Sequence, residues 1–310
     1  MNISEALRAT DQLMYDIVAS DVMVLQEASR HIIGAGGKRI RPRMMFLMYE
    51  ALGGDNLEYA VPVAAALELV HTATLVHDDI NDHGVMRRGR VTINELWGRT
   101  FALLTGDFLF SKVYELMAPY KDLNITLAEA TVALVEGETL QAYAAKNNAL
   151  NRDTYQRIVA KKTASLFRAA VLLGAQLTAA PKVYLDAAGE YGFYIGLAFQ
   201  IVDDILDLTG DPRLMGKTAG IDLAQGKGVG VAVGAASNGR NAAAVAQDDA
   251  PDDPFLEVKQ RLIENGAVDE GRQMVSAIAV QANLALDKLP PNPSVEELRE
   301  VIGLVVNRDH

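Results

Sequence analysis

Two segments of the chain carry the same acidic spacing, Asp78-Asp79-Ile80-Asn81-Asp82 and Asp203-Asp204-Ile205-Leu206-Asp207. Residues four apart share a helix face, so Asp78 and Asp82 point the same way, as do Asp203 and Asp207. Like charges so placed destabilise an isolated helix by about 0.2–0.5 kcal/mol per pair. Both clusters are flanked by apolar residues, Leu75-Val76 before the first and Phe199, Ile201, Val202 and Leu208 around the second. Carboxylates drawn partly out of water need a counter-charge. Mg²⁺ prefers oxygen ligands and bridges to phosphate oxygens, so the spacing points to a metal–phosphate site. A solvated acidic face is the ordinary alternative for one such cluster; its repetition beside core-forming residues argues against that for two.

Basic segments supply the matching chemistry. Gly36-Gly37-Lys38-Arg39-Ile40-Arg41-Pro42 and Arg87-Arg88-Gly89-Arg90 each place cations beside glycine. Glycine permits close backbone approach, and Pro42 suits the first turn of a helix whose N-terminus attracts phosphate. Arginine forks onto two phosphate oxygens, whereas lysine acts as a point charge. Either segment alone reads as a surface patch. With two metal cages they suggest two diphosphate sites, one bridged by Mg²⁺ and one held by Lys and Arg alone.

The elements that must position these groups are helical. Apolar residues recur at helical spacing through most of 1–225, with breaks at 34–37, 53–56, 119–124 and 148–152. No βαβ pattern or run of short strands interrupts them, which implies an antiparallel helix bundle in a single domain over 1–310. Residues 228–254, rich in Gly and Ala and then acidic, read as a loose or mobile segment. Helical periodicity resumes from 255, and Ser294 with Glu297 reads as a capping box for the last helix.

Composition excludes other classes. The formal charge of −11, from 40 acidic and 29 basic residues, argues against nucleic acid as a partner. The absence of cysteine removes disulfides and thiolate chemistry. The N-terminus lacks the basic start and apolar run of a secretion signal. The apolar stretch 60–76 is interrupted by Glu68 and His71 and falls short of a membrane span. The expectation is a soluble, cytoplasmic enzyme.

Taken in order, these segments resemble the polyprenyl synthetase (trans-isoprenyl diphosphate synthase) family. The matching residues are Gly36–Pro42, His71-Thr72-Ala73-Thr74-Leu75-Val76-His77-Asp78-Asp79, Arg87-Arg88-Gly89, Gly106-Asp107, and Gly137-Glu138 with Gln141. Lys162-Thr163-Ala164, Phe199 to Asp204, Gly216-Lys217, Asp222-Leu223 and Gly226-Lys227 follow. The resemblance implies the all-α isoprenoid synthase fold, a helix bundle whose two acidic clusters face each other across a deep central cavity. It implies that Asp78 and Asp82 bind two Mg²⁺ ions and Asp203 a third, with Asp207 close by and Asp79, Asp204 and Gln141 in support. Arg87, Lys162, Thr163, Gln200, Lys217 and Lys227 would hold an allylic diphosphate. Lys38, Arg41, His71 and Arg88 would hold isopentenyl diphosphate.

The activity so implied is ionisation of the allylic diphosphate, attack by isopentenyl diphosphate and loss of a proton. Ala73 and Thr74, five and four residues before Asp78, are small, where short-chain synthases of the family carry bulky aromatics. An open channel and a long-chain product, hexaprenyl to decaprenyl, are therefore expected. The alternatives are a geranylgeranyl or farnesyl diphosphate synthase, a class I terpene cyclase, or a non-catalytic subunit of a heterodimeric synthase. Asp203 to Asp207 and Gly36 to Arg41 argue against a cyclase, and the intact aspartates argue against a non-catalytic role. One departure stands out: Lys227 is followed by Gly228-Val229-Gly230-Val231-Ala232 in place of the family's x-Thr-Leu-Pro. A homodimer is expected, a heterodimer is possible, and membrane contact would be at most peripheral, through the product.

Overall fold

The computed structural model describes residues 1–147, 149–209, 263–264 and 266–308. Lys217, Lys227 and the 228–254 segment lie outside these residues. Among the described residues the chain is helical apart from one two-stranded hairpin, as the periodicity predicts. Helix ends fall at or beside the breaks read from the sequence. The chain divides into two compact units.

The first unit comprises Met1–Glu129, Ala169–Gly189 and Lys288–Leu298. It begins with α1 (Ile3–Ile17), α2 (Met23–Ile33), α3 (Ile40–Ala51) and α4 (Leu57–Asn81). Asn2 and Glu5 start α1 as a reciprocal capping box, with bonds of 2.9 and 2.8 Å. The hairpin strands β1 (Met86–Arg87) and β2 (Arg90–Val91), then α5 (Ile93–Trp97) and α6 (Arg99–Met117), follow α4.

The 25-residue α4 is the centre of this unit and packs against α1, α3 and α6. Leu67, Leu69, Val70 and Ala73 are all buried there, beside Met44 to Met48 of α3 and Leu109 of α6 within the same core. Burying each of the larger side chains contributes about 1.5–3 kcal/mol. Contrary to the expectation drawn from Glu68 and His71, α4 is long and apolar enough to cross a membrane. It is instead a core helix, most of its length being buried. Glu68 does not interrupt it because Arg39 neutralises it: Nη1 donates to Oε1 at 2.9 Å, and Nε donates to Asp11 at 2.6 Å. Arg39, the left-handed residue that starts α3, is thereby turned into the core.

The second unit comprises Ala130–Arg168, Glu190–Asp287 and Arg299–His310. It takes the later part of α7 (Leu123–Lys146), all of α8 (Arg152–Val159), a π turn at Ala160–Ala164, and the start of α9 (Ser165–Leu177). The later part of α10 (Lys182–Thr209), α11 (Ala267–Leu286) and the end of α12 (Pro293–Val306) complete it. The start of α12, in the first unit, differs from the expected capping box. Pro293 is the first helical residue, and Asn292 caps the helix by accepting from Val295 N–H at 3.2 Å. A proline suits that first position because its missing N–H would have had no partner, and this moves the cap two residues ahead of Ser294.

Candidate active site

In the first unit the acidic cluster closes α4. Asp82 N–H donates to the Asp78 carbonyl at 2.8 Å, so the two carboxylates sit one turn apart on one face, both half-buried. His83 adopts φ 51° and Gly84 N–H returns to the Asp79 carbonyl at 2.9 Å, ending the helix in a left-handed cap. Asp79 points the other way, 3% exposed, and accepts a 2.6 Å bond from Arg87 Nε. Burial pushes its carboxyl above the ordinary value in spite of Arg87. Asp79 thus supports the cluster from behind, and Arg87 keeps its terminal amino groups for other work.

The hairpin after α4 carries the basic residues. Arg88 and Gly89 both take positive φ, 51° and 72°, which a tight two-residue hairpin turn requires. Arg88 then reaches the Gly36 carbonyl, and Arg90 Nη1 donates to the His31 carbonyl at 3.2 Å, fastening the hairpin to the 31–37 segment. Lys38 is exposed in the loop before α3, and Arg41 lies in the first turn of that helix.

Four arginines, Arg39, Arg41, Arg87 and Arg88, lie around His71. Its pKa lies well below 6.5, first through burial and then through Arg41, Arg88, Arg87 and Arg39. The imidazole is therefore neutral at pH 7 in a strongly positive surround. His71 stands seven residues before Asp78, two turns along the same face of α4. Anions are attracted at one end of this face and cations at the other.

In the second unit α10 presents Asp203 and Asp207, both half-buried, with Asp204 7% exposed between them. Asp204 Oδ2 accepts from the Tyr155 hydroxyl at 2.6 Å, and Oδ1 accepts from Gln200 Nε2 at 2.8 Å. Gln200 Oε1 accepts in turn from Thr163 Oγ1 at 2.7 Å. Burial, then Asp204, pushes the Tyr155 phenol well above its ordinary pKa, so it remains a donor. Asp203 Oδ1 lies 2.5 Å from Arg308 Nη1, and that guanidinium stands over the Phe199 ring.

Lys162 and Thr163 lie on the π turn, a local irregularity common at functional sites. Backbone from two sides confines it. A Cβ at Gly137 would come within 2.5 Å of Lys162 N, and one at Gly196 within 2.5 Å of Ala164 Cα. Lys162 is held by an ion pair with Glu138 and by a 2.8 Å bond to Gln141 Oε1.

The donor set fits Mg²⁺. The candidate ligands are carboxylates only, in pairs one turn apart, and among the described residues no three acidic or histidine side chains converge as a closed cage. Mg²⁺ commonly takes one or two carboxylates, waters and substrate phosphate oxygens, and needs no such cage. Among the expected residues, the structure groups Arg41, Arg87, Arg88 and His71 near one another, and Thr163, Gln200 and Asp204 in one hydrogen-bonded chain. The sequence reading missed Tyr155 and Arg308. Tyr155 acts on Asp204, 49 residues away, and no local signal marks it or Arg308.

Residues 22–252 match the family model described as Polyprenyl synthetase. A heptaprenyl diphosphate synthase component 2 from Geobacillus stearothermophilus is 36% identical over 99% of this chain and 97% of that protein. A geranylgeranyl diphosphate synthase from Methanosarcina mazei is 32% identical over 92% of this chain and 90% of that protein. The crystal structure of a polyprenyl synthase from Caulobacter crescentus, complexed with calcium and isoprenyl diphosphate, superposes with a TM-score of 0.91 at 34% identity, covering 99% of this chain and 96% of that one. The expected all-α isoprenoid synthase fold is therefore the fold of this protein. The chain belongs to the polyprenyl synthetase family and is a prenyltransferase.

Proposed function

We propose that this prenyltransferase condenses isopentenyl diphosphate with an allylic diphosphate and makes a long-chain product of hexaprenyl to decaprenyl length. The observation that carries the reading lies on one face of α4: Asp78 and Asp82 at its end, and two turns earlier a neutral His71 surrounded by Arg41, Arg87 and Arg88. A diphosphate bridged by metal and a diphosphate held by cations alone are the two substrates such a face suits.

In this reading Asp78, Asp82, Asp203 and Asp207 hold Mg²⁺, three ions being expected. When bound, Mg²⁺ supplies Lewis-acid charge at the departing diphosphate. Arg87, Lys162, Thr163 and Gln200, with Lys217 and Lys227, hold the allylic diphosphate. Lys38, Arg41, His71 and Arg88 hold isopentenyl diphosphate, and His71 donates an N–H as a neutral ring. The allylic cation must be kept from water, so the chain's task is positioning, charge and exclusion of solvent.

Long-chain output is supported by the small side chains of Ala73 and Thr74 and by the Geobacillus relative. The Methanosarcina relative favours a second reading, a geranylgeranyl product. Phe101, Leu103 and Leu104 on α6 expose apolar surface that suits a homodimer, and the name "component 2" suits a heterodimer. The test is to incubate the purified protein with Mg²⁺, farnesyl diphosphate and labelled isopentenyl diphosphate, and to measure chain length. Products of thirty to fifty carbons support the reading. A twenty-carbon product moves it to the second, and no product from the protein alone or with a partner subunit overturns it.

A further inference from the structure

We propose that Tyr155 is a positioning residue for the second acidic cluster: its hydroxyl holds Asp204 at the centre of a side-chain relay that joins this cluster to the Lys162–Thr163 turn. The inference rests on reading that cluster as a metal and diphosphate site.

The relay has a defined direction. Thr163 Oγ1 donates to Gln200 Oε1, Gln200 Nε2 donates to Asp204 Oδ1, and Tyr155 donates to Asp204 Oδ2, at 2.7, 2.8 and 2.6 Å. Gln200 uses its carbonyl toward one neighbour and its amide toward the other, so its orientation is set. Asp204 accepts on both oxygens, and a short O–H···O⁻ bond is of the strong, charge-assisted kind. An Asp204 held in this way faces inward, which leaves Asp203 and Asp207 as the outward carboxylates of α10.

The placement of Tyr155 has a physical cause. Tyr155 and Thr163 are eight residues apart, on α8 and on the π turn, while Gln200 and Asp204 are one turn apart on α10. The relay therefore ties the α8–π segment to α10 at two levels. Tyr155 itself is buried, and its ring would pack equally well as phenylalanine. What the hydroxyl adds is the hold on Asp204. Without it Asp204 loses the Tyr155 bond and keeps that of Gln200, so its carboxylate is held less firmly away from Asp203 and Asp207. Groups that orient metal ligands from behind commonly change metal affinity or activity by roughly 10–100-fold when removed.

The test is Tyr155→Phe in the full-length protein. Divalent-cation binding is measured by calorimetry with a non-reactive allylic thiolodiphosphate, so no turnover is involved, and thermal stability is measured alongside. The expected result is divalent-cation affinity weaker by about tenfold, and a higher Mg²⁺ concentration for half-maximal rate, with the helical spectrum unchanged. Asp204→Asn and the double variant complete a cycle: if Tyr155 acts through Asp204, the double variant binds cations no worse than Asp204→Asn alone. Wild-type cation affinity in Tyr155→Phe, or additive losses in the cycle, overturns the inference. Should Tyr155→Phe fail to fold, Asp204→Asn alone carries the test; unchanged cation affinity there overturns the inference equally. A wild-type protein without prenyl transfer would sink the functional reading instead, a distinct outcome.

Discussion

Arg308 Nη1 lies 2.5 Å from Asp203 Oδ1, so a cation just beyond α12 rests on a carboxylate of the second acidic cluster. Both side chains are partly exposed, at 22% and 30%, so the pair is screened and contributes about 0.2–1 kcal/mol. A divalent cation that uses Asp203 must compete with it. Arg308→Gln is therefore expected to tighten divalent-cation binding in the absence of substrate by up to about fivefold, read by calorimetry. Weaker binding in the variant would mean that Arg308 assists the cation.

Asp78 should matter far more than its effect on folding. It is half-buried at the helix end, and it is Asp79 that accepts the Arg87 bond anchoring the hairpin. Asp78→Ala is expected to fold and to lose at least about 10²–10³-fold in condensation rate, on the scale of losing a transition-state charge stabiliser. Near wild-type turnover would contradict the role given to the first cluster.

His71 makes stability depend on pH. Its folded pKa is depressed well below 6.5 by burial and neighbouring arginines, while the unfolded chain protonates near that value. Below pH 6.5 the unfolded state binds the extra proton, so stability falls as pH drops, by up to about 1.4 kcal/mol per unit until the folded pKa is reached. Urea unfolding of wild type and His71→Asn at pH 7 and pH 5 should give a steeper acid loss in wild type. Isopentenyl diphosphate, by bringing negative charge, should raise the His71 pKa in an NMR titration.

Glu68 is a structural counter-ion and not a ligand. It is 3% exposed, and Arg39, its partner, is 7% exposed. Glu68→Gln leaves a buried arginine with only the half-exposed Asp11, and should destabilise by about 3 kcal/mol, the low end for removing one member of a buried pair. The measurement is the shift in urea midpoint.

Ala73 tests the product channel. Its side chain is fully buried on α4, five residues before Asp78. Ala73→Phe is expected to shorten the product, at a cost of about 1–3 kcal/mol from overpacking. An unchanged chain length, read by chromatography of the dephosphorylated product, would place the limiting residue elsewhere.

The sequence by itself determined the helical class, the helix breaks at 34–37, 53–56, 119–124 and 148–152, and which residues are candidates for the site. Helical periodicity and Asp spacing are local properties, and so are the glycine-rich breaks at 34–37 and 53–56. Asp78 with Asp82, Asp203 with Asp207, and the cations at 38, 41, 87 and 88 were all legible for that reason. The roles of residues within each group were decided only in three dimensions. Arg39 looks like its neighbours Lys38 and Arg41 in sequence, yet a left-handed backbone turns it onto Glu68. The true cap of the last helix is Asn292 because Pro293 takes the first helical position. Asp204 differs from Asp203 because Tyr155, Gln200 and burial claim it, while Asp203 meets Arg308, 105 residues away. Such pairings depend on which helix faces pack together, and that is settled by the burial of the whole apolar surface, a collective quantity that no short window of sequence contains.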